Sequence, residues 1–128
     1  MGIAASHAGE ILSKDFGSVN YTPPATWYVG LLSGGVELSG GSYARVPVTN
    51  NTTNFPTVTT NLIVNGTTIT FPQATADWVQ ADQVALFIAS GGGSPKYTGD
   101  LDNPVIVRTG QTRSFAASDL KIKIIPVI

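Results

Sequence analysis

Leu62-Ile63-Val64-Asn65-Gly66-Thr67-Thr68-Ile69-Thr70-Phe71 is the stretch on which the fold turns. Two apolar and β-branched runs flank an Asn-Gly pair. That dipeptide suits a type I′ turn, whose two central residues both need positive φ. The spacing predicts a β-hairpin, with strands over 62–64 and 67–71.

The same grammar extends outward. Val84 to Ala89 reads as an apolar strand, with Val84, Leu86 and Ile88 on one face and Ala85, Phe87 and Ala89 on the other. The small alanines predict close packing on that second face. Gly91-Gly92-Gly93 ends the strand. Upstream, after Pro23-Pro24, Trp27, Val29 and Leu31 alternate with Tyr28, Gly30 and Leu32. Tyr43 to Val48 reads as an edge strand, because Pro47 cannot donate to a ladder. Short strands follow over 96–101, 104–108 and 113–116. A last strand places Leu120, Ile122 and Ile124 inward and Lys121 and Lys123 outward. Fifteen threonines fit this pattern, since Thr is β-branched and faces water without charge.

Before the first strand, Ser6 to Phe16 has a helical pattern. Ser6 is the expected N-cap and Gly17 the expected stop, with Ile11, Leu12 and Phe16 as an apolar stripe. The predicted organisation is an arm or short helix over 1–22 and one domain over 23–128. The predicted class is all-β: an antiparallel β-sandwich or jelly roll of about eight strands with a short N-terminal helix.

Composition narrows the function. Only 12% of the residues are charged, about half the usual share of roughly 25%. A domain of this size still exposes roughly a third of its unfolded surface, so a surface this poor in charge predicts coverage by neighbouring subunits. The net charge of −1 and the scattered lysines and arginines exclude a basic nucleic-acid-binding stripe. No apolar run approaches the ~20 residues that span a bilayer, and no secretory leader is apparent at the start. No cysteine is present for a disulfide or a thiolate metal site.

A search for chemistry finds no catalytic, cofactor or metal site. His7 is the one histidine, and the expected role is a solvated or capping residue. Asp100, Asp102 and Asn103 before Pro104 read as a turn, because a calcium loop would need further acidic ligands. Asp77 and Asp82 read as loop carboxylates, and Gly91-Gly92-Gly93-Ser94 lacks the Lys of a phosphate loop.

Several longer stretches carry a resemblance. They are Pro24-Ala25-Thr26 with Tyr28-Val29-Gly30-Leu31, and Glu37-Leu38-Ser39-Gly40-Gly41-Ser42-Tyr43-Ala44-Arg45-Val46. Asn50-Asn51-Thr52-Thr53-Asn54-Phe55 and Ile69-Thr70-Phe71-Pro72-Gln73-Ala74-Thr75-Ala76-Asp77-Trp78 continue it, followed by the strand from Val84 and by Tyr97-Thr98-Gly99-Asp100-Leu101. Together they resemble a family of small tailed-phage virion proteins, the tail-fibre-like and capsid decoration proteins, over roughly residues 24 to 124. The resemblance implies a structural protein of the virion, made in the host bacterial cytoplasm.

Three functions follow as expectations. The leading one is a capsid cement or decoration protein that binds the outer capsid and stabilises contacts between major capsid subunits. The alternative is a small tail or tail-fibre component, and the third is a carbohydrate-binding sandwich. The expected partners are further copies of the chain, as a homotrimer, and the major capsid protein or other virion subunits. No nucleic acid, membrane or cofactor is expected. The expected interface residues are Tyr43 and Arg45 on the edge strand, since Tyr and Arg are favoured at interfaces. Ile125, Val127 and Ile128 join them, as three large aliphatic residues beside a proline that cannot extend a central ladder.

Overall fold

A computed structural model describes residues 1–56, 58 and 61–123. The chain is an antiparallel β-sandwich with one short helix. In order it runs β1 (Gly2–Ile3), α1 (Ala5–Asp15), β2 (Thr26–Ser33), β3 (Val36–Glu37), β4 (Val46–Thr49), β5 (Leu62–Val64), β6 (Ile69–Thr70), β7 (Ala81–Phe87), β8 (Tyr97–Val105), β9 (Ser114–Phe115) and β10 (Lys121–Lys123).

The larger layer has the order β1-β8-β7-β2-β3, with β4 also paired to β2. Strand β2 is central because both faces of Trp27 to Leu32 carry apolar side chains or small residues. Val29, Leu31, Val84 and Leu86 look inward to the main core, while Leu32, Ala85 and Phe87 form a separate cluster on the outer face. Ala85 is fully buried between Gly30 and Thr98 of the flanking strands, so the close packing expected from its small side chain is present. The strand itself differs from the expected span. It begins at Ala81 and ends at Phe87, and Ile88 is half exposed.

The second layer corrects the predicted hairpin. The two flanks of Asn65-Gly66 do not pair with each other. β5 pairs with β10, β6 pairs with β9, and Phe71 N–H continues the line to the Arg113 carbonyl at 2.9 Å. Residues 62–71 therefore run as one interrupted extended segment against 113–123. Asn65 explains the interruption. It is completely buried and acts as a bracket for the opposite turn. Its Nδ2 donates to the carbonyls of Thr67 and Ala116, both at 2.9 Å, and its Oδ1 accepts from Leu120 N–H at 2.8 Å. Its backbone carbonyl accepts from Ser118 N–H at 2.8 Å. Buried polar atoms keep their partners, and an Asn side chain supplies two donors and an acceptor in the space of one peptide group.

Ile69, Phe71, Phe115, Leu120 and Ile122 of this layer meet the inner face of the large sheet, with Trp78 and Phe55 contributed by connections. Met1 ties the layers at one edge, its ammonium donating to the Lys121 carbonyl and its own carbonyl accepting from Lys123 N–H, both at 3.1 Å.

The helix spans close to the expected residues, but its anchoring differs. Ala4, not Ser6, is the N-cap, and no side chain caps it. Leu12 and Phe16 are 56% and 78% exposed, so they form no core-facing stripe. The inward residue is His7, 1% exposed, caged edge-on by Tyr21, Trp27 and Tyr97. The solvated or capping role expected for His7 is thus overturned. Its imidazole is the flat, part-polar body that fits three ring edges, whereas Leu12 lies on the opposite side of the helix. Its Nδ1 sits 3.5 Å from Glu10 Oε1 without the alignment of a hydrogen bond. Glu10 is instead held by Lys96 Nζ at 2.9 Å, which draws its pKa below the usual value.

Candidate functional site

Tyr43 and Arg45 were expected to face a neighbour, and the structure turns both into their own subunit. β4 does pair only with β2 among the described residues, with Pro47 opposite Tyr28. The strand starts at Val46, however, and the two residues before it fold over the gap between β3 and β4. Residues Gly30 and Leu31 lie in that gap without a ladder partner for every group. Tyr43 fills the vacancy: its hydroxyl accepts from Leu31 N–H at 2.9 Å and donates to Glu37 Oε2 at 2.8 Å. Burial is the first cause that raises the Tyr43 pKa, so the phenol stays protonated and able to donate.

Arg45 completes the cluster. Its Nε and Nη2 grip the two Glu37 oxygens, each at 2.8 Å. Its Nη1 donates to the carbonyls of Ala89 at 2.8 Å and Gly92 at 2.9 Å. The guanidinium centre lies 3.5 Å over the Phe87 ring. Such two-pronged, charge-assisted pairs are among the stronger protein hydrogen bonds. Burial alone would raise the Glu37 pKa, but the bonds from Arg45 and Tyr43 outweigh it and hold the carboxyl below its usual range. Two glycines make the geometry possible. A Cβ on Gly30 would come within 2.9 Å of both Phe87 and the Tyr43 hydroxyl. Gly92 adopts φ 70°, a left-handed conformation that aims its carbonyl at Arg45. The cluster pins the Gly-rich 90–94 loop to the outer sheet face. It is a structural clamp.

The remaining sequence candidates are dispersed. Asp77 accepts from Thr109 N–H at 2.8 Å, a bond that lowers its pKa, and Asp82 accepts from Gly34 N–H at 3.2 Å. The two carboxylates therefore serve different loops. Asp100 accepts from Gln83 Nε2 at 3.1 Å. Among the described residues, no group of three His, Asp or Glu side chains could hold a metal ion. Likewise no helix among them is long and apolar enough to cross a membrane. Ile125, Val127 and Ile128 lie outside the described residues.

What sequence reading missed is the outward face of α1. Leu12 and Phe16 stand one helical turn apart, and Val19, 58% exposed, follows the helix end, its N–H bonded to the Ser13 carbonyl. The signal was present: the Ile11, Leu12 and Phe16 pattern shows an apolar stripe, but periodicity cannot tell whether a stripe meets its own core or a partner.

The described residues thus form a charge-poor β-sandwich whose strongest polar cluster is an internal clamp, with large apolar side chains left exposed on an appended helix. The model of the podophage GP4 fiber I protein gp80 family matches residues 2–123, and the chain belongs to that family. It is a phage virion structural protein, as the resemblance implied. No curated protein matches the chain.

Proposed function

We propose that the chain is a non-enzymatic building block of a tail fibre, working through self-association as a homotrimer and through contact with other virion subunits. The observation that carries this reading is the match to a fibre protein family over nearly the whole chain. The apolar face of Leu12, Phe16 and Val19 supports it, since contiguous exposed apolar residues mark interaction sites. Capsid cement is the second reading. It draws on the small sandwich, which shows no coiled coil among the described residues.

Copy number and position in the particle separate the two. Antibody labelling and quantitative mass spectrometry of purified virions should find a few tens of copies clustered at the tail. Hundreds of copies spread over the shell would overturn the fibre reading and support cement. For the surface itself, Phe16→Asp should leave the fold intact and weaken assembly in sedimentation. Unchanged assembly would remove α1 from the interface.

A further inference from the structure

Asn65-Gly66 is the single Asn-Gly step of the chain; every other asparagine precedes Tyr, Asn, Thr, Phe, Leu or Pro. Asparagine is chemically labile, most of all before glycine, which carries no side chain to shield its nitrogen. That nitrogen attacks the side-chain carbonyl carbon of the asparagine. The new N–Cγ bond closes a five-membered imide, the Cγ–Nδ2 bond breaks, and ammonia leaves with the proton lost from the nitrogen. Water then opens the imide at either carbonyl, leaving aspartate or a β-linked isoaspartate.

The fold holds the atoms of this reaction apart from it. The attacking group, Gly66 N–H, donates to the Asn54 carbonyl at 2.7 Å. The leaving group, Asn65 Nδ2, donates to the Thr67 and Ala116 carbonyls, both at 2.9 Å, and Oδ1 is fixed by Leu120 N–H at 2.8 Å. The carboxamide therefore cannot swing toward the Gly66 nitrogen without losing three bonds. Asn65 is also completely buried, so the water that opens the imide is kept out. Packing demands both halves of the labile pair. Asn65 supplies the bracket, and a Cβ on Gly66 would collide with the Thr53 carbonyl.

The products do not fit the same place. An aspartate has no hydrogens for the Thr67 and Ala116 carbonyls and would bury a charge against two acceptors. Isoaspartate lengthens the main chain by one methylene between β5 and β6, whose partners β10 and β9 fix their spacing.

We propose that Asn65-Gly66 is a modification site gated by folding. The folded chain preserves the amide, whereas a chain left unfolded deamidates there and is barred from the native state. A reversible opening thus becomes a one-way loss. The inference holds for a fibre or a capsid subunit.

The test ages the full chain in mildly alkaline buffer, in one arm native and in the other unfolded in urea. Samples taken over time are returned to native buffer and separated into folded and unfolded fractions by size exclusion. Peptide mass spectrometry then measures aspartate and isoaspartate at each asparagine. In urea, position 65 should convert ahead of every other asparagine, and the converted chains should collect in the unfolded fraction. The native arm should convert at position 65 at least about a hundredfold more slowly, because a stable domain is seldom open. Asn65→Asp, made directly, should fail to reach the folded fraction without any ageing, which checks the gate independently of refolding yield. The proposal is overturned if both arms convert position 65 at one rate, if another asparagine converts first, or if chains bearing the acid there fold like the parent.

Discussion

Arg45 and Arg113 both lie over a phenylalanine, and they have opposite fates. Arg45 sits 3.5 Å over Phe87, with Glu37 and two loop carbonyls taking four of its hydrogen bonds. Arg113 sits 5.1 Å over Phe115, beside carboxylates it does not reach. The difference lies in the acceptors. Glu37 ends a two-residue strand that a tight Gly34-Gly35 turn folds beside β2, so its carboxylate is delivered to the guanidinium. The carboxylates near Arg113 stand on a bulge and on a turn that bonds its own backbone. An arginine supplied with acceptors is a pin, and one denied them leaves a sealed Nε–H without a bond.

Removing the pin should have the largest effect. Arg45→Ala leaves the part-buried Glu37 and two loop carbonyls unpaired, and breaking a buried pair from one side costs about 3–5 kcal/mol. Urea denaturation should show that loss, with the Gly-rich loop gaining hydrogen-exchange rates first. A stability change below about 1 kcal/mol would deny the clamp its role.

Gly30→Ala attacks the same cluster without touching its charges. The new Cβ meets Phe87, Tyr43 and Glu37 at 2.9–3.0 Å, and overpacking of this kind costs about 1–3 kcal/mol. Thermal melting of this variant beside Arg45→Ala and the double variant should be less than additive, since both break one unit.

Acid should loosen the clamp more gently. Glu37 is held below its ordinary value of 4.5 by Arg45 and Tyr43, against the opposing pull of burial. A lowered carboxylate pKa favours the folded state. That contribution is complete above the unfolded value and is lost as pH falls through the lower folded one. Denaturation midpoints between neutral and acidic pH should therefore fall more steeply in the parent chain than in Glu37→Gln. Parallel curves would show that Glu37 contributes nothing to the acid dependence.

Arg113→Met marks the small end of the scale. No ion pair is lost and an unsatisfied Nε is removed, so stability should change by no more than about 0.5 kcal/mol. A loss as large as that of Arg45→Ala would erase the contrast between the two residues.

Much of the sandwich was legible because strand signals are local. Alternation over Trp27 to Leu32, the apolar run from Val84 and the pattern of Leu120, Lys121, Ile122 and Lys123 each report a face and a period within a few residues. The all-β class and the apolar stripe on the helix follow from such short-range facts, though not the side to which that stripe turns. The low charge of the chain is likewise a property of composition.

Partner choice was not legible, because it depends on groups far apart in the chain. Asn65-Gly66 has every local mark of a hairpin turn, yet the chain runs on against 113–123. Three bonds from one buried amide to Thr67, Ala116 and Leu120 outweigh a local turn preference. Arg45 reads as an interface residue until Glu37, Ala89 and Gly92 close around it. His7 reads as solvated until Tyr21, Trp27 and Tyr97 meet on one side of α1. By itself the sequence determined the strands, their faces and the poverty of charge, since these are written in neighbouring side chains. Only the tertiary structure decided which polar groups are satisfied and which are left open, because a hydrogen bond needs both partners within about 3 Å, and that distance is set by the packing of remote segments.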